Sequence, residues 1–467
     1  MMGLFPQPCS SKNRKYIQYS RVFRTFVWGK IHHHQLLPIE SDVPYFCNTG
    51  RNDRAEVKDM LYTGDNLTGV KRSNRSVILH ILHGSGSISR KRLAQLMRLT
   101  PAAVTKLVSE MVDENLIREG FPIHGEGAGR KEISLVINAH AYSALGMHIN
   151  RESAFLSACW LNGSMIFCEN IALPHDCSAD EMLSQLSDRL MELVQEHCVP
   201  WKTIIGIGIA IRGITDSSRR ISRNSFGVYR EQNYPVADYI ERRTGLKVIV
   251  SNNIQALSLA QLFFDREQPV RTQYFLRCEY GIGGALNIDN HPISGATGRC
   301  SEIGHIPVIR NNGKLCSCGK CGCLETVASP RAMIETATQL LSKDNTPLLW
   351  RLYTESGCKP LTIDLILEAA RLGDSVIREM VDKAVDMLTM ALKTVLYAVN
   401  LEQVILYGSL FENSFYLKKF LLAMEEGLNG EFNDTVIRKS AFNTSLEEQC
   451  ACILMIDWFF SQGGIME

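Results

Sequence analysis

Residues 302–325 read EIGHIPVIRNNGKLCSCGKCGCLE, in which one histidine, His305, is followed by Cys316, Cys318, Cys321 and Cys323 among glycines. Thiolate and imidazole donors at this spacing suit a tetrahedral divalent cation, and the glycines let a short loop fold around it. Four such ligands close the coordination shell and leave no position for a catalytic water. The expectation is one structural Zn2+ per chain. Five candidate ligands compete for four places, and spacing alone does not choose among the cysteines. A disulfide framework is disfavoured, because other cysteines of the chain's fifteen, such as Cys159, Cys168 and Cys452, stand singly in apolar runs, as in a reducing cytoplasm.

On both sides of this loop the sequence alternates strand-like and helical segments. ALGMHI, FLSACWL, IIGIGIAI, KVIVSNN, TQYFLRC, GGALNI and QVILYG carry short apolar, β-branched runs. ADEMLSQLSDRLMELVQEH and DSVIREMVDKAVDMLTMALKTVLYAV carry the three- and four-residue period of helices. This is α/β architecture over 140–467, and a boundary near Pro269 divides it into two lobes hinged to close on a small ligand.

Before residue 140 the pattern changes. Val77, Ile78, Ile81 and Leu82 mark a first helix, and GSGSIS breaks it. Ser89 caps a second helix with Leu93, Leu96 and Met97 on one side. Thr100, with Pro101 in the first turn, caps a third. That third helix buries Val104, Leu107, Val108 and Met111 and leaves Ala102, Ala103, Thr105, Lys106 and Ser109 on its other faces. LIREGF and EISLVIN then read as two strands joined by the Gly-rich, basic HGEGAGRK. Residues 65–138 are thus expected to be a winged helix-turn-helix domain. Ser89, Arg90, Thr100, Ala103, Thr105, Lys106 and Ser109 would meet the major groove or phosphates, with Arg130 and Lys131 at the wing. The bland alternative is a three-helix packing or dimerisation module.

Charge agrees with a basic front on an acidic body. Residues 1–59 and 60–132 each carry +4, whereas the remaining 335 residues carry −7, for a net charge of +1. Residues 1–59 show neither helical nor strand period. Met60 opens the recognisable domain almost at once, so translation is expected to start there. Neither a membrane-spanning run nor a signal peptide is read from the sequence, and a cytoplasmic location is expected.

The stretch around the cysteines resembles the ROK family of repressors, open reading frames and sugar kinases, in particular its Mlc- and NagC-type regulators. Its ExGH element is matched by Glu302, Gly304 and His305. Its CxCGxxGCxE element is matched by Cys316, Cys318, Gly319, Gly322, Cys323 and Glu325. NRSVILHIL, ISRKRLAQLMRLTPAAVTKLVSEMVDENLI and the wing GAGRK also match, with Lys131 in place of a usual proline. The resemblance implies a two-lobed actin-like, sugar-kinase-like (ribonuclease H-like) ATPase fold behind the reader. It makes His305, Cys316, Cys318 and Cys323 the zinc ligands and Cys321 the spare thiol.

The resemblance also implies a sugar site at Asn252, Asn253, Glu302, His305 and Glu325. Family kinases carry an aspartate general base where this chain has Asn253, and an amide accepts no proton at neutral pH. The first phosphate loop, DxGGT, is replaced by HINRE (148–152), the second by YGIGGAL (280–286), and a late glycine pair by Gly408 and Ser409. Arg212 replaces a proline in IAIRGITD, where a surface salt bridge is the simpler expectation and a phosphosugar contact the sharper one.

Together the residues and the resemblance imply a DNA-binding regulator, a repressor of carbohydrate uptake or metabolism genes without catalytic residues. Its implied partners are a double-stranded operator and a sugar or sugar-phosphate effector. A sugar-transport phosphotransferase protein is an alternative effector, a homodimer or homotetramer is expected, and a ROK-type sugar kinase is the enzymatic alternative.

Overall fold

A computed structural model describes residues 67–123, 132–174, 176–265, 270–426, 428, 434–442 and 445–466. The segment 1–59, Met60, the loop expected at the wing with Arg130 and Lys131, and Pro269 lie outside the described residues.

The described chain begins with α1 (Leu67–Ser85), β1 (Ile88–Ser89), α2 (Arg90–Met97), α3 (Pro101–Asp113), β2 (Ile117–Ile123) and β3 (Glu132–Ile137). The two expected caps form. Ser89 Oγ accepts from Arg92 N at 3.2 Å and Thr100 Oγ1 from Ala103 N at 3.3 Å, while Pro101 occupies a first-turn position whose N–H has no helical partner anyway. The three strands make an antiparallel sheet in the order β1-β3-β2. The end of GSGSIS, read as a break, therefore contributes a short strand in which Ile88 pairs with Leu135.

Two helical stripes differ from expectation. Ile78 and Leu82 are buried, but Val77 is 42% exposed and Leu79 is buried instead; in α2, Leu96 is 48% exposed and Ala94 lies inside. The cause in α1 is a second packing partner that lies far away in sequence. Arg75, 1% exposed, points the same way as Leu79 and donates from Nε to the carbonyl of Gly463 at 2.8 Å. The chain's last turn thus shares the inner face of α1.

The body starts with β4 (Ser143–Ile149), β5 (Ser153–Trp160), β6 (Met165–Ala172), α4 (Ala179–Glu196), β7 (Ile204–Ile211), the small hairpin β8 (Ile214–Asp216) and β9 (Ile221–Asn224), α5 (Val236–Thr244), β10 (Val248–Asn252) and α6 (Asn253–Phe264). It continues with β11 (Thr272–Cys278), β12 (Ile282–Ile288), β13 (His291–Pro292), α7 (Glu325–Ala328), α8 (Pro330–Leu340), α9 (Pro347–Glu355), α10 (Ile363–Leu372), α11 (Ser375–Val399), β14 (Gln403–Tyr407), α12 (Ser409–Glu412), α13 (Ser414–Glu425), β15 (Val436–Lys439) and α14 (Ser445–Ser461).

Two five-stranded mixed sheets result, in the orders β10-β7-β4-β5-β6 and β13-β12-β11-β14-β15. Each is built the same way. A strand is followed by two antiparallel neighbours on one side and by two parallel crossover strands on the other. The parallel strands β7 and β14 are buried throughout, which is why IIGIGIAI and QVILY read as continuous apolar runs.

The last helix does not stay with the second sheet. α14 buries Leu446, Cys450, Ala451, Cys452, Ile453, Met455, Ile456, Phe459 and Phe460, so it is apolar nearly all round, as a central helix must be. It crosses the first sheet where glycines remove side chains. A Cβ on Gly208 would lie 1.8 Å from the Ala451 carbonyl oxygen, and one on Gly146 2.8 Å from Cys452 N. The same apolar cluster joins α14 to Leu79, Leu82, Val108 and Met111 of the N-terminal helices.

Candidate functional site

The cysteine loop follows a 3-10 turn at Ile303–His305 and leads into α7. Gly319 and Gly322 both take positive φ, and a Cβ on Gly322 would meet the Ile309 carbonyl oxygen at 2.0 Å, so a side chain there would spread the loop. Isolated bridges Pro307–Cys323 and Leu315–Cys321 pin its two sides.

The donor atoms of His305, Cys316, Cys318 and Cys323 lie within 4.8 Å of one another. Cys318 Sγ is 3.6 Å from Cys323 Sγ, and Cys316 Sγ is 3.4 Å from His305 Nδ1. Tetrahedral zinc with ordinary Zn–S and Zn–N lengths requires ligand separations of about 3.5–3.8 Å, so these residues fit the ion. Burial, followed by the neighbouring Cys318 and Cys316 thiols, pushes Cys323 up to about 12; gathering thiolates here needs a cation. Cys321 is exposed and belongs to no such cluster.

Beside this loop lies a cleft open to solvent. It is lined by Asn150, Arg151, Arg212, Asn252, Asn253, Arg277, Glu302, His305 and Glu325, among others. All five residues expected at a sugar site are thus gathered on one cleft. His305 faces two ways: its Nδ1 is near Cys316, and its Nε2 is 3.7 Å from Glu302 Oε2. Glu325, the first residue of α7, accepts from Ile282 N at 3.3 Å. Burial and the nearby Glu325 carboxylate push Glu302 up to about 7.

The two asparagines differ in what they have to spare. Asn252 is the N-cap of α6, accepting from Ile254 N at 2.8 Å and Gln255 N at 3.2 Å while its amide donates to the Gly213 carbonyl. Its polar atoms are spent on positioning the helix. Asn253 donates to Asn150 Oδ1 at 3.3 Å and is 5% exposed.

Sequence reasoning missed Arg277 and Arg151. Arg277 sits on β11 and pairs at 2.6 Å with Glu447, the third residue of α14. No local pattern announces a pair 170 positions apart. Arg151 was visible within HINRE, where loss of the phosphate loop drew attention away from the cation gained.

In the N-terminal helices, α3 turns Ala102, Ala103, Thr105, Lys106 and Ser109 outward over a buried Val104, Val108 and Met111. Several residues expected at DNA are committed to contacts within the protein. Ser89 is buried under its cap, Thr100 caps α3, Thr105 Oγ1 donates to the Pro101 carbonyl at 2.7 Å, and Arg90 pairs with Glu119 at 2.8 Å. Among the described helices none is long and apolar enough to cross a membrane.

A sequence profile described as "ROK family" matches residues 155–457. The DNA-binding transcriptional repressor Mlc of Escherichia coli (strain K12) is 26% identical over 314 residues, 67% of this chain and 75% of that protein. The DNA-binding transcriptional dual regulator NagC of the same organism is 26% identical over 371 residues, 78% of this chain and 86% of that protein. Among solved structures, a ROK family transcriptional regulator described as a homolog of E. coli MLC superposes with a TM-score of 0.71 at 24% identity, covering 84% of this chain and 97% of that one. The mixed sheets are therefore those of a ROK sugar-kinase-like fold, and the chain belongs to the ROK family.

Proposed function

We propose that this protein is a DNA-binding transcriptional repressor of carbohydrate uptake or metabolism genes, with a winged helix-turn-helix reader at 65–138 and a two-lobed actin-like sensor at 140–467. The observation that carries the reading is Asn253. In a cleft that keeps Glu302, His305 and Glu325, the one group a kinase needs as proton acceptor is an amide, already hydrogen-bonded to Asn150. A cleft that binds without turnover is a sensor. The repeated strand order of the two sheets supports the actin-like assignment.

The outward polar face of α3, flanked by small Ala102 and Ala103, supports entry into a major groove. Such readers work in pairs, so a symmetric dimer or tetramer on a pseudo-palindromic operator follows. Zinc at His305, Cys316, Cys318 and Cys323 would brace the loop presenting His305 and Glu325 to the ligand.

Two helices supply the coupling. α6 starts at the cleft, capped by Asn252, and carries in its last turn Phe263, whose carbonyl lies 2.7 Å from His83 Nε2 of α1 and whose ring stacks on His83 at 3.8 Å. α14 starts beside Arg277, and Gly463, just after its end, accepts from Arg75. Ligand closure that shifts either helix reaches α1 directly, so ligand and DNA affinities are reciprocally linked.

Selection of random duplex DNA by the purified full chain, at fixed salt and with pooled sugars and sugar phosphates, tests the proposal. Enrichment of a two-fold-symmetric site that one pool abolishes is the expected result. Failure to enrich any sequence, with zinc and fold intact, overturns it and leaves the N-terminal helices as a packing module.

A further inference from the structure

We propose that Arg75 is the positioning residue through which the body of the protein sets the angle of α3, the helix assigned above to the major groove. This rests on the DNA-binding reading and adds to it the group that links α14 to the reading helix.

Arg75 stands on α1 and, among the described residues, is the largest side chain that is fully buried, at 1% exposed. A guanidinium taken out of water has to be hydrogen-bonded on every edge. Here each nitrogen has a partner: Nη1 donates to Glu114 Oε1 at 2.8 Å, Nη2 to Glu114 Oε2, and Nε to the Gly463 carbonyl at 2.8 Å. The planar fork meets the carboxylate with two bonds and keeps its third edge for the carbonyl, a geometry that an ammonium cannot copy.

Both partners stand at helix ends. Glu114 is the C-cap of α3, and its N–H donates to the Glu110 carbonyl at 3.0 Å. The last turn of α3 carries no basic residue, and Asp113 and Glu114 set acidic side chains against the negative end of the helix. Arg75 supplies the cation which that end lacks. On the other side, the N–H groups of Gly463 and Gly464 donate to the Phe460 and Phe459 carbonyls of α14, both at 2.9 Å, so the Gly463 carbonyl moves with α14.

The fit of this turn leaves little play. Gly463 and Gly464 take φ of +69° and +73°. A Cβ on Gly463 would lie 2.8 Å from the Arg72 carbonyl oxygen, and one on Gly464 2.2 Å from Cδ2 of Leu116, which follows α3 closely. α14 starts where Glu447 pairs with Arg277 of the cleft. A displacement there reaches Arg75 through one helix and passes to α3 through Glu114.

Binding of two duplexes by the full-length protein at one fixed salt concentration tests the proposal. The probes are the two-fold-symmetric duplex that the wild type enriches and a random-sequence duplex of the same length. R75M keeps the stem of the side chain and removes the fork. It should weaken binding to the enriched duplex by about 10-fold or more, as one or two mismatched base pairs do, and leave the random duplex within about 2-fold. R75K should recover part of the loss. E114Q, at a side chain 44% exposed, tests the same contact without a change in the core. It should act in the same direction, and adding it to R75M should cost little more, because both changes break one contact. Hydrogen exchange in α1 and α3 should stay slow in both variants, which separates a turned helix from an unfolded one.

Equal losses on the two duplexes, or fast exchange in α1 and α3, would show that Arg75 only holds the fold and overturn the proposal. Unchanged affinity of R75M and E114Q for the enriched duplex, or an E114Q loss that adds in full to that of R75M, overturns it as well and leaves the DNA-binding reading standing. A wild type that enriches no duplex overturns both.

Discussion

Arg277 of β11 and Glu447 at the start of α14 form an ion pair at 2.6 Å, with side chains 12% and 15% exposed. Burial alone pushes Glu447 up, yet Arg277 beside it outweighs that and holds its carboxyl below the ordinary range. Arg277 lines the cleft, and α14 reaches the N-terminal helices, so this pair ties the cleft to the helix that leaves it. Replacing Glu447 by Gln strands a buried guanidinium. E447Q should lose about 2–4 kcal/mol of stability in urea unfolding, far more than a surface pair is worth. A loss under about 0.5 kcal/mol, the scale of an exposed pair, would mean that Arg277 finds another anion.

Zinc should be present at one ion per chain by elemental analysis, held by His305, Cys316, Cys318 and Cys323. C318S should abolish it and lower the melting midpoint by about 5 °C or more, since metal binding energy is folding energy for a loop with so little core. C321S should retain both, because that thiol is exposed and outside the cluster. Zinc lost from C321S and kept in C318S would reassign the ligand set.

Contact between the N-terminal helices and the body should depend on pH through His80. Its imidazole lies 3.5 Å from Asp457 of α14; burial lowers its pKa, but the hydrogen bond and charge of Asp457 prevail and raise it above 6.5. The folded state therefore binds the proton more tightly than the unfolded chain. The contribution is complete below about pH 6.5 and disappears as pH rises through the folded-state value. The melting difference between wild type and H80Q should be largest near pH 6 and shrink by about pH 8, and D457N should remove the pH dependence. A difference that grows with pH would reverse the assignment.

Much of this architecture is legible in the sequence, and the parts that are not share a cause. Ser89 and Thr100 declare their helices because capping is chemistry between residues three apart. His305, Cys316, Cys318 and Cys323 declare a metal loop because 19 residues contain every ligand. The inward turn of Leu79 and Arg75 depends on Gly463, and the burial of Arg277 depends on Glu447, partners 388 and 170 positions away. The glycines of IIGIGIAI gave no hint that α14 lies across Gly208. Asn252 lies in the expected site, yet only the fold separates a residue that caps a helix from one that faces a ligand.

Lys106 is exposed on α3 and has neither an ion pair nor a side-chain hydrogen bond among the described residues, so it is free to meet a phosphate. K106A should weaken binding to all duplexes by a similar factor and reduce the salt slope of affinity by about one unit. Changing Ala103 to Leu should instead obstruct the close approach of α3 and cost specific binding more than non-specific. Equal affinities across K106A, Ala103→Leu and wild type would place the DNA surface elsewhere.

Restoring a carboxylate at the catalytic position tests whether Asn253 alone separates this cleft from a kinase. N253D supplies a proton acceptor at a site only 5% exposed, adjacent to Asn150. Phosphoryl transfer also needs backbone N–H groups around the phosphates, and where a glycine loop would provide them this chain has Asn150, Arg151 and Glu152. The new carboxylate would share the cleft with Arg151 and Arg212, whose attraction lowers its basicity just where a general base needs it. N253D should therefore release no hexose-dependent ADP above the wild-type background. Turnover in N253D would show that a single amide holds a complete kinase silent, and turnover in the wild type would return the chain to the enzymes.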